Sequence, residues 1–336
     1  MDKQRRKLIR GAAGLLAGGS TLAFPSLAAA QGAGNFPNKP ITMIIPSTAG
    51  GAADTMGRMV VDVMSKELGQ TIVMDYKPGA GGILATTALS KAAPDGYTVL
   101  FTTTAPLFYS PHMTDKLAYD PKRDFTYISQ VTDGGFLMLA NKDVPANNMA
   151  ELVTWIRAQG KGKVNYGSYG IGTVSHLLSA YLSESRDLGM THAAYKGEAP
   201  FVTDLIAGHI PLGIGSLWTA TPHINGGRLR GIAVYTPQRH PTLPNVPTML
   251  EAGFTDADFN VVAGNFLVGP ANMPPAVLAK LESAVRKAVN SPQVRDKFLS
   301  LGTTPVGGSS EDARKLFDTS QPRLQRLVKM SGATLE

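Results

Sequence analysis

No cysteine occurs among the 336 residues, which excludes disulfides, a thiolate nucleophile and iron–sulfur clusters held entirely by cysteine. Stability must come from an ordinary packed core. No run of about 20 apolar residues is long enough to span a bilayer as a helix, which argues against a channel built from such helices. Catalytic signatures are missing too. The histidines His112, His176, His192, His209, His223 and His240 form no close pair at metal-ligand spacing, and there is no His-Glu-x-x-His. The phosphate-loop pattern with its lysine is absent, and Gly167-Ser168-Tyr169-Gly170 lacks the residue between glycine and serine that a nucleophile elbow requires. The expectation is a protein without catalytic residues, metal or cofactor.

Charge is sparse, at 17% of residues, and its excess sits at the front. Five of the 32 basic residues and one of the 25 acidic ones lie in residues 1–30, so the rest of the chain carries only +3. A nucleic-acid surface would need a clustered basic stripe, and none is present. The front itself reads as an export signal over residues 1–30. Arg5-Arg6-Lys7-Leu8-Ile9 precedes a weakly apolar stretch, Gly11 to Ala23, and then Ala28-Ala29-Ala30, whose small side chains suit a signal peptidase. Cleavage is expected before Gln31, with a periplasmic product. The paired arginines resemble a twin-arginine signal, while the general secretory route stays open.

After Pro37 the chain alternates β-branched apolar runs with helical periodicity, the pattern of α/β layers around a mainly parallel sheet. Strand Ile41 to Ile45, a helix carrying Met56, Val60, Val63 and Met64, strand Thr71 to Asp75, a helix over Ile83 to Ala92 and strand Tyr97 to Thr102 make a doubly wound half. Strands at Phe136 to Asn141, Lys163 to Tyr166, Ile210 to Gly215 and Leu229 to Tyr235, with helices near Met149–Gln159, Val174–Ser185 and Pro200–Ala207, make a second. Asn265 to Pro270 reads as a strand leaving it, followed by an amphipathic helix through Val277, Leu281, Val285 and Ala288.

Three glycine loops each leave a strand and open a helix: Ser47 to Asp54, Pro78 to Gly82 and Gly167 to Thr173. Such a loop presents unpaired N–H groups at the positive end of a helix dipole and can hold a carboxylate or phosphate. It also needs glycine for geometry whether or not anything binds. Gly79-Ala80-Gly81-Gly82-Ile83-Leu84 nearly spells a dinucleotide fingerprint, but Leu84 replaces its last glycine. Asp54 is read as a helix cap ahead of a ligand contact, His176 as a packed histidine ahead of a cleft residue, and Trp218 as a core residue ahead of a stacking platform.

In chain order, Phe36-Pro37-Asn38-Lys39-Pro40-Ile41-Thr42, Ala49-Gly50-Gly51-Ala52-Ala53-Asp54, Pro78-Gly79-Ala80-Gly81-Gly82 and Pro94-Asp95-Gly96-Tyr97-Thr98-Val99-Leu100 resemble the Bug family, the exported binding proteins of tripartite tricarboxylate transporters. Tyr119-Asp120-Pro121-Lys122-Arg123-Asp124-Phe125, Tyr195-Lys196-Gly197 with Pro200, and Leu243-Pro244-Asn245-Val246-Pro247-Thr248 extend the resemblance along nearly the whole chain. It implies an α/β two-lobed periplasmic-binding-protein fold (a type II Venus flytrap) with a doubly wound sheet in each lobe and two crossovers at the hinge. Lobe 1 would comprise residues 35–138 plus 262–336, and lobe 2 residues 139–261.

The resemblance further implies a monomer that captures a small mono- or dicarboxylate, aromatic if Trp218 or Tyr169 lines the cleft, and delivers it unchanged to membrane permease subunits. The matching ligand positions are Ser47, Thr48, Ala49, Gly50 and Gly51, with Thr104 and Ala105, from lobe 1. From lobe 2 they are Ser168, Gly170, Thr173, His176, Glu198 and Ala199. Departures are Ser47 where the family often has an aromatic residue, Tyr76-Lys77 for an asparagine–arginine pair, Asn265-Phe266 for a tryptophan, and Asn272-Met273-Pro274 for Gly-Thr-Pro. An exported enzyme, or a sensory binding protein docking a receptor, are the alternatives.

Overall fold

The computed structural model describes residues 35–50 and 52–335. The expected leader, its cleavage point and Gly51 lie outside the described residues. Within Pro37–Glu336, which forms one compact unit, the strands fall into two sheets.

The first sheet has strand order β11-β4-β10-β3-β1-β2. Next to its β2 edge lies β1 (Ile41–Ile45), paired in parallel with β2 (Ile72–Tyr76) and β3 (Thr98–Thr103). Ile41, Met43 and Ile45 on one face and Ile44 on the other are buried, as expected of a strand covered on both faces. Helices α1 (Ala52–Leu68) and α2 (Ile83–Ser90) make the connections. Strand β4 (Phe125–Gly134) then carries the chain to the second sheet.

That sheet has the order β7-β6-β8-β5-β9. It contains β5 (Phe136–Asn141), α3 (Met149–Gln159), β6 (Asn165–Ser168), α4 (Val174–Ser185), β7 (Thr191–Ala194), α5 (Glu198–Ala207), β8 (Leu212–Ser216), α6 (Leu217–Asn225) and β9 (Leu229–Val234). Strand β10 (Asn265–Pro270) returns to the first sheet, followed by α7 (Pro275–Asn290), α8 (Pro292–Ser300), β11 (Thr303–Pro305) and α9 (Ser310–Ser331).

Both sheets are mixed, where the sequence pattern suggested mainly parallel ones. Strand β10 runs antiparallel to β3 and β4, and β5 antiparallel to β8 and β9. The cause is topological. A strand arriving from the other sheet enters at the end where its parallel neighbours finish, so it must run against them. The carboxyl ends of β1, β3, β6 and β8 therefore face the crossovers, the position where open α/β sheets hold ligands.

The crossovers are short and side by side. Only Gly135 separates β4 from β5. A Cβ on Gly134 would stand 3.0 Å from the Gly264 nitrogen on the returning segment. The long strand β4 and helix α9 have no counterpart in the elements expected from sequence. Helix α9 packs on β4 and also on α4 of the second sheet, and the Leu335 N–H donates to the Met113 carbonyl. One buried apolar cluster consequently runs from Leu100 and Phe108 through Phe317 and Leu324 to Leu177 and Leu178.

Candidate functional site

A cavity of about 400 Å³ opens where the two sheets meet at the crossovers, within the size range of small-ligand sites. From the first sheet it is lined by Ala53 and Met56 of α1, Thr103 and Thr104 at the end of β3, Ala105 and Tyr109 of the following helical turn, and Asn265. From the second come Phe136, Tyr169, Thr173, Val174, Glu198, Ser216, Trp218 and Thr219. Leu301 to Thr303 close one edge. None of the described lining residues is Lys, Arg or His, and Glu198 is the one ionisable carboxyl among them.

Of the residues expected to touch ligand, Thr104, Ala105, Thr173, Glu198 and Trp218 line this cavity. Ser47, Thr48, Ala49, Gly50, Ser168, Gly170, His176 and Ala199 are not among its lining residues. The first loop is held by its helix. The Asp54 carboxylate accepts from the Gly50 N–H at 2.7 Å and from the Tyr76 hydroxyl at 2.6 Å, and pairs with Arg58 at 2.9 Å. Burial would raise the Asp54 carboxyl, but these bonds outweigh it and hold it below the usual range. Asp54 thus ties down the loop, and Thr48, Ala49 and Gly50 remain exposed. Ser47 has a buried hydroxyl with no partner.

In the third loop Thr173 caps α4, its Oγ1 accepting from the His176 N–H and donating to the Gly170 carbonyl at 2.7 Å. Behind it, Ser168 is fully buried and its Oγ lies 2.7 Å from His192 Nε2. His176 Nδ1 accepts from the Gly172 N–H at 3.1 Å, and its ring stacks on His192 at 3.9 Å between centroids. Ser168 and His176 therefore shape the loop from inside. Burial pushes the His176 imidazole down to about 4, helped by neighbouring His192, so it carries no charge at neutral pH.

That depression has a measurable consequence. Between pH 6.5 and about 4 the unfolded chain takes up a proton at His176 that the native protein refuses, so stability falls as pH drops through this window. His176→Asn keeps an acceptor for Gly172 and removes the titration. Between pH 7 and 4.5, wild type is expected to lose more unfolding free energy than the variant, by on the order of 2 kcal/mol, measured by urea denaturation at each pH. Equal losses would contradict the assignment.

Phe136, Ser216 and Asn265 line the cavity without a place in the sequence reading of the site, beside Tyr169, Glu198 and Trp218, which that reading includes. Phe136 and Tyr169 stack with centroids 6.4 Å apart and planes inclined by 19°. Glu198, at the start of α5, accepts from the Ser216 N–H at 2.6 Å and from its hydroxyl at 2.9 Å, joining the openings of α5 and α6. Asn265 is 3% exposed. Its Oδ1 accepts from Thr132 Oγ1 and its backbone N–H donates to the same oxygen, each at 3.1 Å, while the amide nitrogen has no partner. Trp218, expected in the core, is 40% exposed. Among the described residues no three His, Asp or Glu side chains gather as a metal site.

Comparison with known proteins agrees with this geometry. The family model described as tripartite tricarboxylate transporter family receptor matches residues 56–333. A UPF0065 protein of Agrobacterium vitis is 33% identical over 301 residues, covering 90% of this chain and 86% of its own. Among solved structures, the periplasmic binding protein BugD is 29% identical with a TM-score of 0.73, over 90% of this chain and all of its own. The R. palustris protein Rpa4515, solved with adipate, is 27% identical with a TM-score of 0.77 over the same shares. The α/β fold is that of the two-lobed periplasmic binding proteins.

Proposed function

The chain belongs to the tripartite tricarboxylate transporter receptor family, and from that premise we propose that it is a periplasmic solute-binding protein that captures a small carboxylate between its lobes and hands it, unchanged, to the membrane subunits of a transporter. The lobes of this reading are residues 35–138 plus 262–336 and residues 139–261, moving about the paired crossovers, and residues 1–30 direct export.

The observation that carries it is the cavity shared by both sheets at their crossovers. An adipate-bound relative of the same fold supports the ligand class. A carboxylate does not need a buried cation here. Charge-assisted hydrogen bonds from hydroxyl, amide and N–H donors are short and strong, and a closed cleft lowers the local dielectric. Thr104, the Ala105 turn and Asn265 are the donors in this reading. Because each lobe supplies part of the lining, a ligand binds the closed form better and shifts the open–closed balance toward it, which is the signal a permease can read.

A thermal-shift screen over carboxylic acids tests the reading. An acid that binds only the folded protein adds about 2.7 kcal/mol at a hundredfold excess over its Kd, so at least one is expected to raise Tm by several degrees. A panel of mono-, di- and aromatic acids that leaves Tm unmoved would count against it.

A further inference from the structure

The charge inventory of the cavity narrows the ligand class. Resting on the carboxylate reading above, we propose that the cavity takes a monocarboxylate with an apolar or aromatic body, and that Glu198 makes it reject dicarboxylates.

The two ends of the cavity differ in kind. On the first-sheet side stand donors: the Thr103 and Thr104 hydroxyls and the Asn265 amide. Thr132 occupies the carbonyl end of that amide at 3.1 Å, which fixes its orientation and leaves the nitrogen as the unused end. A buried amide N–H without a partner is costly, and an anionic oxygen is the acceptor that satisfies it best. On the second-sheet side stands Glu198. Both its oxygens are engaged by Ser216, at 2.6 and 2.9 Å, so the carboxylate is held in place at the mouths of α5 and α6.

Between these ends the walls are apolar. Met56, Val174, Leu301, the stacked pair Phe136 and Tyr169, and Trp218 all line the cavity. A chain or ring of six carbons is buried well by such walls, and flat faces suit an aromatic body. The first carboxylate of a ligand meets donors. A second one, carried to the far end, would meet no Lys, Arg or His among the described lining residues, and would face the Glu198 carboxylate. An unpaired charge taken out of water beside a like charge is strongly disfavoured.

Matched pairs that differ by one carboxylate isolate this effect: hexanoate against adipate, and benzoate against terephthalate. In isothermal titration of the purified protein, the monoacid of each pair is expected to bind at least tenfold more tightly than its diacid. Glu198→Gln, which keeps an acceptor for Ser216, is expected to narrow that ratio severalfold, and Asn265→Leu to weaken both monoacids at least tenfold. The ratio in wild type decides the matter even where a variant folds poorly. Adipate and terephthalate binding as tightly as their monoacids would overturn the selection and leave the carboxylate reading standing. Binding by neither member of either pair would overturn the carboxylate reading itself.

Discussion

Gly264→Ala is expected to lower the melting temperature by about 6 °C, from a loss of about 4 kcal/mol. Gly264 precedes β10 on the returning crossover, with φ +100°, a region L side chains rarely adopt. A Cβ there would stand 1.9 Å from the Thr132 carbonyl oxygen and 2.9 Å from the Asp133 Cα. Those atoms are backbone of β4, already paired with β10 through Thr132 and Asn265, so no side-chain rotation relieves the clash. Either the crossovers separate or the strand end unpairs. Gly253→Ala is the control: its φ is +84° but no atom lies within 4 Å of the added carbon, and it is expected to cost only about 1 kcal/mol. Circular dichroism melts of the two variants separate steric from conformational cost, and similar melting temperatures would show the crossovers to be more pliant than their packing indicates.

The second large effect is expected at Phe108, on the turn that lines the cavity through Ala105 and Tyr109. Its ring is fully buried, 5.0 Å from Phe266, 5.3 Å from Phe317 and 6.1 Å from Tyr127 between centroids. It therefore joins β10, α9 and β4 beneath the site. Phe108→Ala is expected to destabilise by about 3–5 kcal/mol through the cavity it leaves, and Phe108→Leu by less than half as much. With Phe108 gone, Ala105 and Tyr109 lose their support, so affinity for the carboxylate is expected to fall as well. Denaturant unfolding gives the stability, and a loss under about 1 kcal/mol in the alanine variant would refute the bracing role.

Much of the fold was legible because its elements are local. Phe136–Asn141, Met149–Gln159, Val174–Ser185 and Asn265–Pro270 span the same residues in sequence and structure, since apolar runs, an Asn148 cap or a Thr173 cap mark them within a few residues. Strand β4 was missed although Phe125-Thr126-Tyr127-Ile128 favours a strand. Six of its ten residues are buried, under α7 and α9, which lie well over a hundred positions away, and nothing nearby signals that cover. Helix α9 itself carries Pro322 and a charged outer face, which dilute the apolar spacing of Phe317, Leu324 and Val328.

The cavity was legible in its region and in part of its lining. Glycine loops announce the ends of strands, which points to Ser47, Gly50, Ser168 and Gly170 as well as to Thr104, Ala105, Thr173, Glu198 and Trp218, and only the latter five line the cavity. Which loop atoms are already spent depends on Asp54 and His192, and those bonds are invisible in one dimension. Phe136, Ser216 and Leu301 reach the cavity from three separate connections. Asn265 did leave a trace, as a departure from the resembling family's tryptophan, but only its packing against Thr132 turns that oddity into a donor.

Helix α9 carries one more consequence. Rooted on β4 yet pressed against α4, it spans both halves, so the crossovers cannot swing like a free door. Clamping of the halves about the crossovers would carry α4 along α9, adding a sliding component to the swing. The shared apolar cluster beneath this helix ties the stability of one half to that of the other.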